Sequence, residues 1–383
     1  MNGVRLLNAS RTETPEGARI NYLFDIAGTT QEVWFRISAP AANAAAETFV
    51  ALTLLPAMKL GADVALDRQM SERMLRNLGA IQDVFACWQP ETFRRIAIHA
   101  PPSPSQTRIS NAVACFFSAG VDSFYTLLKH SDEITTLLLV HGFDIGLENE
   151  AMSAKVSTTV RRIAARLNKK VIEIHTNVRA FSASRLRWSM YHGSVLAAVG
   201  LMLAPLLSKI YIPATHTYTD LLPWGSHPLV DPLWSSEQVR FIHDGCEATR
   251  VEKVAAISKS DIAMSTLRVC WRNPGGEYNC GRCDKCLRTM VNLHLASALG
   301  RCSTLPSTLE LKQIARTSIR GDSSRAFAYE NLRALRPRGD DPKLIDALED
   351  ALNGRYERGI WRVQEKVRRW VRRKVLRDTT AQR

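Results

Sequence analysis

Two stretches of this sequence hold side chains whose types and spacing suit chemistry. The first is Ser118-Ala119-Gly120-Val121-Asp122-Ser123, set between an apolar run at 112–117 and a segment with helical spacing of Phe124, Leu127 and Leu128. Strand, tight turn, helix is the implied local order. A helix start offers amide N–H groups without intrahelical partners and the positive end of the helix dipole. Small residues in the turn let a phosphate come close to that backbone. Ser118 and Ser123 add hydroxyls, and Asp122 adds a carboxylate that caps the helix or orients a metal or a water. The turn is neither GxxxxGK[ST] nor GxGxxG, so it is neither a Walker loop nor a dinucleotide fingerprint.

The second stretch carries Cys270, Cys280, Cys283 and Cys286, spaced C-x9-C-x2-C-x2-C. Tetrahedral zinc takes four thiolates at about 2.3 Å, and closely spaced cysteines deliver them from a tight turn. Four protein ligands close the site, which makes the ion structural. An iron–sulfur cluster and plain free thiols are the alternatives. The remote fourth cysteine and the closed set favour zinc. Arg282, Lys285 and Arg288 are placed to offset the charge of a tetrathiolate centre. Cys87, Cys115, Cys246 and Cys302 read as buried thiols.

Strands and helices alternate around the first stretch. Strands are expected at 112–117, 134–141, 170–175 and 209–214, with helices at 123–129, 151–168 and 191–207 between them. Such alternation predicts an α/β fold with a doubly wound parallel sheet. Ligands of these sheets lie beyond the carboxyl ends of the strands. The Ser118–Ser123 turn belongs there, as do His141-Gly142-Phe143-Asp144, Thr176-Asn177 and Thr215-His216-Thr217. His192, Asp220, His227 and Asp231 are further candidates for substrate contact. No Ser-His-Asp or Cys-His arrangement is readable from spacing alone.

The turn resembles the SGGxDS signature of the PP-loop ATP pyrophosphatases, with Ala119 in place of the first glycine. That replacement predicts negative φ at Ala119. Together with the cysteine spacing, and with Lys259 within VAAISKSDI at 254–262, residues 112–298 resemble the 7-cyano-7-deazaguanine synthase branch of that family. The resemblance implies an adenine nucleotide alpha-hydrolase-like fold. It also implies ATP bound by residues 118–123 and by His141–Asp144, with Mg2+ on the phosphates and Zn2+ on the four cysteines. Ser118, Asp122, Ser123 and Lys259 are then the catalytic candidates. The reaction would activate a carboxylate, amide or carbonyl oxygen as its adenylate, release pyrophosphate, and pass the carbon to ammonia, an amine or sulfur. A tRNA-modifying enzyme and a nucleotide-binding adaptor without turnover are the alternatives. The family's substrate motifs near the fourth strand are not matched, and Ser226–Pro232 stands in their place.

The rest of the chain is read from composition and pattern. Its 383 residues are 45% hydrophobic and 23% charged, ordinary for a globular protein. Three regions are expected: an N-terminal α+β domain at 1–104, the ATP-binding domain with its zinc site at 108–300, and a helical basic region at 301–383. In the first, a hairpin is expected at 20–37 and helices at 45–60 and 71–88. Prolines at 101, 102 and 104 mark the boundary. No signal peptide or membrane-length apolar run is seen, and eight cysteines are too sparse for a disulfide scaffold, so a cytoplasmic enzyme is expected. The net charge is +14, and residues 351–383 alone hold eleven Lys or Arg against three acids. Residues 358–377 pattern as a basic amphipathic helix, which suits RNA, a membrane surface or an acidic protein, or docks on the body. A homodimer is the other partner allowed for.

Overall fold

The computed structural model describes residues 3–103, 110–183 and 185–356. Two compact units form, Met1–Thr249 with Thr266–Trp271, and Arg250–Ser265 with Arg272–Arg383.

The first unit is built on one large sheet. Its strands are β1 (Val4–Thr14), β2 (Gly17–Ile26), β3 (Thr29–Ile37), β4 (Val64–Ala65), β6 (Ile98–His99), β8 (Val113–Phe116), β9 (Thr136–His141), β10 (Lys170–Thr176), β11 (Lys209–Pro213) and β12 (Arg240–Asp244), while β5 (Met70–Ser71) and β7 (Pro102–Ser103) form a separate pair. The order is β12-β11-β8-β9-β10-β3-β2-β1-β4-β6. From β12 to β10 every neighbour is parallel, and β3, β2 and β1 add an antiparallel meander. The molecule is therefore α/β with a mostly parallel central sheet and flanking helices.

The sequence places a domain boundary near residue 104, yet strands from both sides of it share this sheet. Ile37 pairs with Ile174 across β3 and β10, and Trp34 N donates to Asn177 Oδ1 at 2.9 Å. One core joins Phe24, Phe35, Phe49 and Phe85 from before residue 104 to Ala114, Tyr191, Ile210 and Trp234 after it. The described residues on either side of the proline-rich stretch thus belong to one sheet and one core.

Local chemistry explains most elements. β2 and β3 meet at Ala27 and Gly28, both at positive φ (51° and 85°), the geometry of a two-residue hairpin turn. Helix α1 runs Ala46–Leu60 and α2 Glu72–Trp88. Ser71 caps α2 by accepting from Met74 N at 3.0 Å, and Met74, Leu78, Ile81 and Phe85 form its buried stripe. Strand β8, Val-Ala-Cys-Phe, is buried at every position, as an interior parallel strand must be. It leads into α3 (Val121–Lys129), β9 into α4 (Glu150–Arg166), and β10 into α5 (Val178–Ala183) and α6 (Trp188–Met202). Among the strands that escape the sequence patterning are β1 and β12. β1 is mostly exposed and lacks an apolar face, and β12 is a five-residue edge strand.

The second unit holds α7 (Arg250–Ile257), α8 (Asp261–Thr266, whose last residue belongs to the first unit), α9 (Asp284–Leu295), α10 (Leu311–Ala315), α11 (Asp322–Leu335) and α12 (Pro342–Leu352). Leu287, Val291, Leu332, Leu335, Leu344 and Leu348 pack its core, and α10 to α12 are the described helices of the region expected to be helical at 301–383. The basic segment 358–377 lies outside the described residues.

Candidate functional site

The Ser118–Ser123 turn stands at the carboxyl end of β8, with neighbours β9 and β11 parallel to it. Ser118 is exposed, Asp122 half-buried, and Ala119 and Ser123 are buried. The first helical bond of α3 runs from Phe124 N to Gly120 O at 2.9 Å, so the amides of Val121, Asp122 and Ser123 precede the hydrogen-bonded ladder. Ala119 O accepts from Arg268 N at 2.8 Å. A planar trans peptide then aims the Gly120 N–H the opposite way, off that segment.

Ser123 serves the turn itself. Its hydroxyl donates to Gly120 O at 3.1 Å and receives Ser118 N at 3.4 Å. A Cβ on Gly120 would stand 3.2 Å from Ser118 Oγ, which crowds the mouth of the turn. Ala119 departs from expectation, since its φ is +58° rather than negative. The left-handed region costs an L-residue about 1–2 kcal/mol. The Arg268 hydrogen bond and full burial of the methyl group hold it there.

Asp244, at the end of the unforeseen β12, fixes α3 from the side. It accepts from Thr126 Oγ1 (2.9 Å) and Lys129 Nζ (2.9 Å) and contacts His130 Nε2 (2.8 Å). Burial pushes its carboxyl up, but His130, Lys129 and Thr126 outweigh that and hold it below the usual range. The helix whose first turn carries Asp122 and Ser123 is thereby tied to the sheet edge.

His141 to Asp144 follow β9 as expected, but the His141 side chain is engaged elsewhere. It is 2% exposed, lies 3.1 Å from Ser157 Oγ of α4, and stacks on His175 with ring centroids 4.3 Å apart. Glu173 completes the group, accepting from Ser157 Oγ at 2.8 Å and Arg161 Nε at 2.6 Å. Burial raises the Glu173 carboxyl, yet the His141, Ser157 and Arg161 donors bring it down to about 2. Burial, His141 and Arg36 lower the His175 imidazole to about 4. Gly142 has φ +92°, and a Cβ there would stand 2.2 Å from Thr176 O, so no other residue fits. Phe143 packs edge-on against Trp188 at 4.8 Å, and Asp144 is exposed.

Beyond β11 the structure gathers His192, His216 and Trp224, with the Trp224 ring 5.8 Å and 5.6 Å from the two imidazoles. Gly193 permits this, because a Cβ there would meet Gly225 O at 1.9 Å. His227 and Asp231 do not face outward. His227 packs on Trp88 at 4.9 Å, and Asp231 is fully buried beside His243. Asp220 sits in a short 3-10 turn, Tyr218–Asp220.

The four cysteine sulfurs of Cys270, Cys280, Cys283 and Cys286 all lie within 4.8 Å of one another. A tetrahedron with 2.3 Å arms has edges of about 3.8 Å, and Cys280 Sγ stands 3.9 Å from Cys286 Sγ. Cys283 N donates to Cys280 Sγ at 3.3 Å. Gly281 makes the knuckle at φ +65°. Cys283 stands at the N-cap position of α9 and Cys286 lies in its first turn, where the helix dipole favours thiolates. The donor set fits a four-thiolate metal site. Two of the neighbouring cations also have other partners. Arg282 pairs with Glu277 at 3.0 Å, and Arg288 stacks over Phe327 at 3.9 Å.

Lys259 is exposed in the turn between α7 and α8. Among the described residues, no helix is long and apolar enough to cross a membrane. In comparisons with known proteins, no family model, no curated protein and no solved structure matches this chain.

Proposed function

We propose that this chain is an ATP-dependent adenylating enzyme of the PP-loop kind, with a structural zinc ion on its four cysteines. The observation that carries this reading is the Ser118–Ser123 turn. Its residue types resemble the family signature, and it joins a buried parallel strand to a nine-residue helix at the carboxyl end of the sheet. The same residues, placed in the middle of a strand, would have no such use.

In the reaction, an oxygen of the acceptor attacks the α-phosphorus of ATP and pyrophosphate leaves. Negative charge grows on the phosphate oxygens as the bond to the leaving group lengthens. Backbone donors at Gly120, Val121 and Ser123, fixed before the reaction begins, stabilise that charge without reorganising. The Ser118 hydroxyl, at the mouth of the turn, adds a donor. Mg2+, if bound there, would neutralise part of the phosphate charge. Ser123 is a positioning residue in this scheme, because its hydroxyl closes the turn on itself. Asp122, half-buried in the first turn of α3, is the carboxylate nearest the mouth in sequence and would hold that cation. Zinc on Cys270, Cys280, Cys283 and Cys286 takes no part in the chemistry, since four protein ligands leave no open position.

ATP–pyrophosphate exchange tests the proposal, run with a panel of carboxylates that includes a deazaguanine carboxylate. Exchange that depends on one acceptor is expected, with a fall of about 100-fold in Ser118→Ala or Asp122→Asn. Wild-type exchange rates in both variants would remove the turn from the mechanism. The nucleotide-binding adaptor predicts ATP binding without exchange in any arm.

A further inference from the structure

Between β9, β10 and α4 lies a group of side chains that the adenylation scheme does not use. β9 and β10 run parallel, with His175 opposite His141 and Glu173 opposite Leu139. Side chains alternate along a strand, so Glu173 and His175 leave β10 on one face, and the register sets His141 of β9 beside them. On α4, Ser157 and Arg161 stand one turn apart and reach the same carboxylate, Ser157 Oγ at 2.8 Å and Arg161 Nε at 2.6 Å. His141 and Glu173 are buried and His175 is half-buried, so the His175 ring is the part that solvent meets.

Their spacing is that of metal ligands. One ligand atom from each of His141, Glu173 and His175 lies within 4.8 Å of the other two. His141 Nε2 stands 3.5 Å from Glu173 Oε2. A tetrahedron with arms of about 2.1 Å, the length of zinc bonds to nitrogen and carboxylate oxygen, has edges of about 3.4 Å. The two imidazoles lie side by side at 4.3 Å with 18° between their planes, near enough for a nitrogen of each to reach one ion. Two imidazoles and one carboxylate are the donor set of open zinc sites and of 2-His-1-carboxylate iron sites. Arg161, on the other oxygen of Glu173, is an outer partner that orients the carboxylate. Ser157 has one hydroxyl proton, which goes to Glu173 Oε2, so His141 Nε2 donates to the Ser157 oxygen 3.1 Å away. An ion here takes the place of that His141 proton, and the ring then carries its proton on Nδ1.

The geometry points to a metal site distinct from the cysteine cluster, in which His141, Glu173 and His175 hold a divalent first-row ion of the Zn2+ class. It does not depend on the function proposed above. Binding exchanges the Ser157 bond to Glu173 Oε2 for a metal bond and leaves a coordination position for water. With three protein ligands in place of four, and a hydrogen bond to give up, this site holds its ion less tightly than the four thiolates do. It fills when metal is added and releases its ion during purification. The bound ion ties the ends of β9 and β10 together directly before the turn at Gly142.

The test adds Co2+ to the full chain after its cysteines have been loaded with Zn2+. Cobalt on nitrogen and oxygen ligands shows visible d–d bands without the near-ultraviolet charge-transfer band of a cobalt thiolate. One equivalent of Co2+ is expected to bind with the visible bands alone. His175→Ala and Glu173→Gln each abolish them. Ser157→Ala touches no ligand and frees Oε2 from its competing hydroxyl, so it tightens binding about 5-fold. Arg161→Gln weakens it about 10-fold. His175→Cys keeps the visible bands and adds the thiolate band, a signal that loss of folding cannot produce. No visible bands in excess Co2+, bands that survive both His175→Ala and Glu173→Gln, a thiolate band already present in the wild type, or no thiolate band in His175→Cys would overturn the assignment.

Discussion

Ala119→Gly is the sharpest perturbation of the proposed phosphate turn, because its two outcomes differ in size. An ordinary buried Ala→Gly change loses about 0.4–1 kcal/mol through the freer unfolded chain. Removing the buried methyl loses about 0.8 kcal/mol more, and Ala119 is fully buried. A residue with negative φ would therefore lose about 1.2–1.8 kcal/mol on these terms. At φ +58° the substitution also releases left-handed strain, worth about 1–2 kcal/mol. The terms nearly cancel, and the expected change in stability is within about 1 kcal/mol of zero. The assay is the shift of the urea midpoint at unchanged slope, compared with a second buried control, Ala198→Gly in α6, whose backbone is helical. Ala119→Gly should cost clearly less than that control. A loss as large as the control's would mean that the turn does not hold the left-handed backbone on which the orientation of the Gly120 amide depends.

Two further outcomes follow from the site chemistry. The purified chain should carry about one zinc ion, and a chelator should remove it with a fall in melting temperature that Zn2+ reverses, since metal-binding free energy is folding free energy; metal content below the protein concentration in freshly prepared protein, with stability indifferent to chelator, would contradict the four-thiolate assignment. On the acid side, Glu173 is held at about 2 and His175 at about 4. Below its ordinary value near 6.5 the unfolded His175 binds a proton that the folded one refuses. Below the ordinary carboxylate value the unfolded Glu173 protonates first. Both groups make stability fall as pH drops, the histidine from about 6.5 to 4 and the glutamate from about 4.5 to 2. The Glu173 part is on the order of 1–2 kcal/mol after screening by the exposed Arg161 is allowed for. Glu173→Gln should flatten the lower part of a stability–pH curve, and an unchanged curve would show that the Ser157–Glu173–Arg161 network is not formed.

Much of the central sheet was legible because interior parallel strands are short, apolar on both faces and separated by amphipathic helices. The Val113–Phe116 and Thr136–His141 strands carry that mark, while Lys170–Thr176 shows it on one face only. Edge strands do not. Arg240-Phe241-Ile242-His243-Asp244 has too few apolar positions to stand out, and with it Asp244, which anchors α3, stayed hidden. Its one available signal was Gly245, a turn residue shortly after the apolar pair Phe241-Ile242. The boundary near residue 104 misled because a proline-rich linker reports exposure, whereas pairing between Ile37 and Ile174 is set by register far along the chain. The cysteine spacing was informative because tetrahedral ligation leaves few ways to space ligands in a tight turn. Glu173 and Ser157 were invisible as partners of His141, since nothing local ties residues on β10 and α4 to the end of β9. The sign of φ at Ala119 was likewise set by a distant amide, that of Arg268.

The central claim is that the backbone amides between β8 and α3 hold the phosphates of ATP. A crystal structure of the full chain with a non-hydrolysable ATP analogue and Mg2+ tests it most directly. The account predicts phosphate oxygens about 3 Å from the amides of Gly120 and Val121, with the adenosine lying along the carboxyl ends of β8 and β9. An analogue bound at another face of the molecule, with that turn in contact only with water, would contradict it.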